Sequence, residues 1–274
     1  MPRTLAAVLA GSGVAVAGSV MQMSMHNRFV SPTTAGTSQF ALVGLLAVAL
    51  LAPATSVMGK MLVASACAVA GSGLLLRLLR LLPARRTPAD VTVPLIGLML
   101  GGVVEAGTTF VAWRYDLLQS LGSWTAGDLS RVLAGRYELL WIVAALALAL
   151  YLAADHLTVA GLGEDAATGL GVDHRRVSRR IIALVTVLVS VSTALVGPIL
   201  FLGLLVAHLA YWAARTDRHV VTVPMAALVA MVVLVGGQTL LAHALGNETV
   251  LSVVIEFLGG LALIVLLIRS GRRS

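Results

Sequence analysis

The sequence predicts an all-α, polytopic transmembrane helical bundle forming a single domain over residues 1–274. Three observations predict it. The chain is 59% hydrophobic and 11% charged, with mean hydropathy +0.98. Its apolar runs follow one another with short connections, and its basic residues collect on one side of those runs. A soluble domain carries about 25% charged residues, so a soluble core could not hide this much apolar surface. Lipid must be the solvent for much of the chain. Helix is the default for spanning segments, because lipid cannot satisfy free backbone N–H and C=O groups.

Nine segments qualify as candidate spans: 4–22, 40–51, 57–79, 93–113, 139–154, 181–196, 201–213, 221–245 and 251–268. A full crossing takes about 20 residues, so the second and seventh are short. Short spans are tolerated inside a bundle or along a cavity. The first run has Arg3 as its basic flank and lacks the ends of a cleavable signal, so it reads as a retained helix.

The basic residues set the orientation. With the C-terminus in the cytoplasm, 14 of the 19 Lys and Arg residues fall on inside segments, among them Arg77, Arg80, Arg175, Arg176, Arg179 and Arg180. Five fall outside: Arg3, Lys60, Arg114, Arg131 and Arg136. That bias favours a cytoplasmic C-terminus. Nine spans then put Met1 outside. The net charge of +7 is accounted for by these helix ends, and no aromatic-interleaved basic patch points to nucleic acid.

The single cysteine, Cys67, allows neither an internal disulfide nor a cysteine-based zinc site. The six histidines, His26, His156, His174, His208, His219 and His243, lack ligand spacing, so each reads as a polar group at an interface. No metal or other cofactor is expected. No P-loop, G-x-S-x-G or H-E-x-x-H pattern occurs, so the chain is expected to be a non-enzymatic subunit that hydrolyses no ATP.

Glycines are frequent within the spans: Gly11, Gly13 and Gly18 on the first, Gly97, Gly101 and Gly102 on the fourth, Gly259 and Gly260 on the last. Such positions let helix backbones approach closely in lipid. They also suit a thin wall beside a transport path. Two acids fall within spans, Glu105 and Glu256. Intramembrane ionisable groups are costly and face a cavity or a partner. Glu105 stands near Thr108 and Thr109 at neighbouring helical spacing. Burial against a polar partner and path lining both remain open for it.

The stretch 157–173, LTVAGLGEDAATGLGVD, is a polar, glycine-rich interruption between two apolar spans on the predicted cytoplasmic side. Gly161 and Gly163 permit sharp turns. Glu164 or Asp165 suits a helix N-terminus, and Gly169 or Gly171 a helix end. A short surface helix that docks another protein and a plain connecting loop both fit these residues.

This stretch resembles the coupling segment of permeases of the iron-chelate uptake family, the group that includes the vitamin B12 importer. Gly161, Gly163, Glu164, Ala166, Leu170, Gly171 and Val172 match. Further matches run along nearly the whole chain: Pro2-Arg3-Thr4-Leu5 with Gly18 to Gln22, the loop from Asn27 to Thr37, Gly135 to Glu138, Gly197-Pro198-Ile199 with Phe201 to Leu204, and Ser252 to Gly260. Several of these are similar to the catecholate-siderophore branch. Ala207 precedes His208 where the family has proline, a departure that bears on a local kink.

The resemblance implies a ten-helix fold, of which the Pro-Arg pair begins the second helix, so this sequence lacks the first. It implies the permease subunit of an ABC importer of iron–siderophore complexes in the bacterial inner membrane, working by alternating access. The implied partners are separate ABC ATPase subunits, a periplasmic or lipoprotein siderophore-binding protein and a second permease chain, identical or paralogous. It implies ATPase coupling through Gly161, Gly163, Glu164, Asp165, Ala166, Leu170, Gly171 and Val172, and a path lined by Met21, Gln22, Glu105, Thr108, Thr109 and Glu256. Arg3 matches a docking arginine for the binding protein, although an arginine at a membrane boundary also serves as an anchor. The alternative is an ion-coupled secondary transporter, whose mark would be paired charges in broken helices at midplane.

Overall fold

The computed structural model describes residues 2–24, 36–81, 89–125, 140–153, 158–159, 169, 171, 174–199, 201–216, 218–244 and 252–261. Among these residues there is helix and connection but no strand. In chain order the helices are α1 (Pro2–Ser24), α2 (Thr37–Leu51), α3 (Val57–Leu81), α4 (Ala89–Arg114), α5 (Leu118–Thr125), α6 (Leu140–Leu152), α7 (His174–Val196), α8 (Leu202–Ala214) and α9 (His219–Ala244). A further apolar helix, α10, covers Ser252–Leu261.

Each of the nine predicted spans holds one of these helices. Four are long and apolar enough to cross a membrane: Thr4–Met23, Val57–Leu75, Leu95–Arg114 and His219–Leu240. The short spans are short in the fold too, α2 with 15 residues and α8 with 13. Three features depart from the sequence reading. The helix α5 occupies a connection, with Leu121 as its buried residue. The helix α7 begins at His174, seven residues before the predicted apolar start, because its arginines are good helix formers and carry the helix beyond the apolar run. The missing proline before His208 brings no break: α8 runs unbroken, and His208 Nδ1 lies 2.9 Å from the Leu204 carbonyl one turn back.

The main core forms around α1, whose spanning window is 78% buried against 22–28% for the other three long spans. A helix that is apolar all round belongs inside the bundle. It packs against α6, α7, α8 and α9. Ala6, Ala7, Ala10, Ala15 and Ala17 of α1 are all buried there, with Val143, Leu188, Val206, Leu234 and Ile255 supplied by its neighbours. Small residues make that enclosure fit. A Cβ on Gly18 would lie 2.5 Å from the Gly203 carbonyl oxygen of α8, so two backbones touch there. Leu234 of α9 fills the space above Gly11, and Val143 of α6 that above Gly13.

A second, smaller lobe holds α2 to α5. Ala41 of α2 packs with Ala64 and Ala68 of α3, while Leu42 and Leu46 meet Ala112 of α4 and Leu121 of α5. The helix α7 packs on α1 and α6 and also on α2 and α3, joining the lobes. The glycines thus divide between two environments. Gly11, Gly13, Gly18 and Gly259 sit at tight contacts, whereas Gly102 and Gly260 face open space.

Replacing Gly18 by Ala must push backbone against backbone, which no rotamer change relieves. The expected cost is about 1–3 kcal/mol. Gly73→Ala, on a helix position with nothing within 4 Å, should be neutral or stabilising by up to about 1 kcal/mol. Thermal unfolding of the detergent-solubilised variants checks both.

Candidate translocation path and coupling end

The helix α1 carries predicted residues at both of its ends. Arg3 is in its first turn, with its side chain outside the described residues. Met21 and Gln22 are in its last turn, 18 and 19 residues and about 28 Å away. Both are buried, and Gln22 Nε2 and the Ser19 hydroxyl one turn before it have no hydrogen-bond partner among the described residues. Buried polar groups are normally paired, so these two mark a place where the chain alone leaves polar capacity unused.

The same end of the bundle holds the start of α9. The Thr222 hydroxyl lies 3.6 Å from Met23 Sδ of α1 and 3.2 Å from the Arg218 carbonyl. His219, buried at 3% exposure, has Nδ1 2.9 Å from the Thr158 hydroxyl. Thr158 and Val159 are helical and half-buried, so the beginning of the 157–173 segment meets α9 here. Of the predicted coupling residues, Gly161, Gly163, Glu164, Asp165, Ala166, Leu170 and Val172 lie outside the described residues. Gly171 is described: it is exposed and adopts φ +78°, the left-handed conformation suited to a helix end.

The structure separates the polar residues of α4. Gly97, Gly101, Thr108 and Ala112 are buried at helical spacing. Gly101 lies against Gly36 and Gln39 beside α2, and Ala112 against Leu42, Leu46 and Leu121. Thr108 falls in that row, and its hydroxyl donates to the Val104 carbonyl at 2.7 Å, so it is satisfied within its own helix. Glu105 and Thr109 are exposed with Gly102 and Ala106 on the uncovered arc that flanks this row. Thr108, one turn from Glu105, is buried in the small-residue row, while Glu105 and Thr109 at its edge stay exposed. On α10, Glu256 is half-buried.

An exposed carboxylate midway along a long apolar helix is costly in hydrocarbon, about 2.5–3.5 kcal/mol on insertion scales. The face bearing Glu105 suits a protein partner or water rather than lipid. Among the described residues, no three His, Cys, Asp or Glu side chains come together as a metal cluster. The residues that sequence reasoning missed are Thr158, Thr222 and His219 as a linked group. Their signal was faint: a histidine at the polar start of a span, with a partner 61 residues away.

Residues 1–269 match the FecCD transport family. The chain belongs to that family. Among FecCD-like relatives, it is 40% identical over 209 residues to the petrobactin import system permease protein YclN of Bacillus subtilis, a match covering 76% of this chain and 65% of that protein. It is 34% identical over 242 residues to the ferric-anguibactin transport system permease protein FatD of Vibrio anguillarum, covering 88% of this chain and 73% of that one. The chain thus spans just under two thirds of the petrobactin relative it matches. The fold is similar to that of a solved structure described as an inward-facing conformation of a metal-chelate type ABC transporter. There the TM-score is 0.85 at 21% identity, covering 98% of this chain and 85% of the other.

Glu105→Leu should leave the unfolding of the solubilised single chain within about 0.5 kcal/mol, as for surface substitutions that touch no special feature. A thermal or denaturant unfolding series on the monomer reads this. A loss above about 2 kcal/mol would mean that the carboxyl is packed within the chain.

Proposed function

We propose that this chain is the permease subunit of an ABC importer that carries iron–siderophore complexes across the bacterial inner membrane, with its C-terminus in the cytoplasm. The observation that carries this reading is the FecCD match over residues 1–269, joined to relatives that are permease proteins of petrobactin and anguibactin systems. The uncovered Glu105–Thr109 face of α4 supports a second permease chain, identical or paralogous, with the path between the two. Met21, Gln22 and Glu256 are further candidates to line it.

In this mechanism a loaded siderophore-binding protein docks at the Arg3 end of α1. Separate ABC ATPase subunits grip the 157–173 segment at the other end. Nucleotide binding and hydrolysis change the affinity of the ATPase for that segment. The difference in affinity between the two states supplies the free energy that turns the opening from one side to the other. The permease chain performs no covalent chemistry. Its task is to present a cavity whose accessibility the segment controls, and the cargo is a ferric chelate of the catecholate type.

Co-expression with the ATPase and binding protein of its own system, followed by reconstitution into vesicles, tests the reading. Uptake of a ferric catecholate should require ATP and all three components. Glu164→Lys or Ala166→Arg should lower uptake by roughly 5–150-fold, the range of typical coupling free energies. Uptake driven by an ion gradient in vesicles lacking any ATPase would overturn the proposal in favour of a secondary transporter.

A further inference from the structure

We infer that the His219–Thr158 hydrogen bond is the link through which the coupling segment moves the α9–α1 pair, making His219 a positioning residue of the transport cycle. The inference rests on the permease reading above. Thr158 is the second residue of the 157–173 segment, and its hydroxyl lies 2.9 Å from His219 Nδ1. His219 is the first residue of α9. Its imidazole is 3% exposed, although it stands beside the exposed Arg218 at the arginine-rich end of the bundle, where water lies close by. Taking an imidazole out of water costs free energy unless a hydrogen bond replaces the lost hydration. Thr158 supplies that bond to Nδ1, so the contact holds the ring at a position where solvation would have been easier.

The path continues inward from His219. Three residues on, Thr222 is also buried, and its hydroxyl touches Met23 of α1. Deeper in the membrane, Leu234 of α9 fills the space over Gly11 of α1. The two long helices therefore pack together at both levels. A close-packed interior transmits displacement rather than absorbing it. A shift of Thr158 would carry the start of α9, and with it the stretch of α1 bearing Met21 and Gln22.

The bond has a geometric signature. The carboxamide of asparagine can occupy the position of the histidine Nδ1, so His219→Asn keeps the contact and His219→Ala removes it. On the other side, Thr158→Ser keeps the hydroxyl, and Thr158→Val removes it at nearly constant shape. Either tautomer of His219 serves, because a threonine hydroxyl both donates and accepts.

The test uses the full importer in vesicles, with radiolabelled ferric catecholate as cargo, and measures uptake per ATP hydrolysed. The second readout is maleimide labelling of Gln22→Cys, in a Cys67→Ser background, with and without trapped nucleotide. His219→Ala and Thr158→Val should each cut uptake per ATP at least about fivefold. Each should also abolish the nucleotide-dependent change in labelling. The double variant should be no worse than either single one, since both remove the same contact. His219→Asn and Thr158→Ser should restore both readouts. Unchanged uptake per ATP and unchanged labelling in the two disruptive variants would overturn the link while leaving the permease reading intact. A fall in thermal stability with no loss of coupling per assembled complex would also overturn it, as would additive effects in the double variant. A wild-type complex that hydrolyses ATP without moving chelate overturns the permease reading and the link with it.

Discussion

The contact of Gly18 with Gly203 shows the constraint under which the bundle is built. In lipid, apolar side chains gain little by leaving hydrocarbon for one another, so helices associate through close packing and polar contacts. The helix α1 meets four neighbours at once, and it can do so because its buried positions are mostly alanine, glycine and valine. The short helices depend on it. At 13 residues, α6 and α8 are about 20 Å long, less than the roughly 30 Å of a bilayer core. Their ends therefore fall at depths where free backbone groups must be enclosed by protein or meet a cavity. A slim central helix and short helices around it are two sides of one requirement.

The polar groups follow the same geometry. One group of them lies near the C-terminal end of α1, and another lies along α4. At one end His219 and Thr222 lie buried, and the half-buried Thr158 is hydrogen-bonded to His219. On α4 the row of Gly97, Gly101, Thr108 and Ala112 is buried, while Glu105 and Thr109 remain uncovered. A single helix thus packs with one arc and offers a carboxylate with another. That division lets a chain be stable alone and still be incomplete, because the carboxylate needs surroundings that lipid does not supply.

How much of this could be read from the sequence differs by element. That each of the nine segments holds a helix was legible, because long apolar runs leave few alternatives to helix in lipid. The eight-residue α5 was not: one buried leucine gives no period. The start of α7 was hidden because its arginines end the apolar signal without ending the helix. Spacing put Thr108 and Thr109 beside Glu105 but did not tell which arc would turn toward α2; the glycines at 97 and 101 with Ala112 carried that information. The histidines read as polar groups at interfaces, and for His219 that was the right chemistry with the partner unnamed. The coupling role of the 157–173 segment rests on family resemblance, and of its predicted residues only Gly171, with φ +78°, is described.

The division into two lobes bears on how such a chain could switch. The main core joins α1 to α6 through α10, while α2 to α5 have their own small clusters. The helix α7 packs on both sides. Packed cores are bistable rather than continuously deformable, so a transition is expected to shift whole lobes along their shared boundary. Glu105 lies on the smaller lobe, while Met23, Thr222 and His219 lie on the larger. A segment that pulls at His219 therefore acts on one lobe, and a partner that covers Glu105 acts on the other. Two lobes that meet along one helix, α7, can shift past each other there while each keeps its own packed cluster.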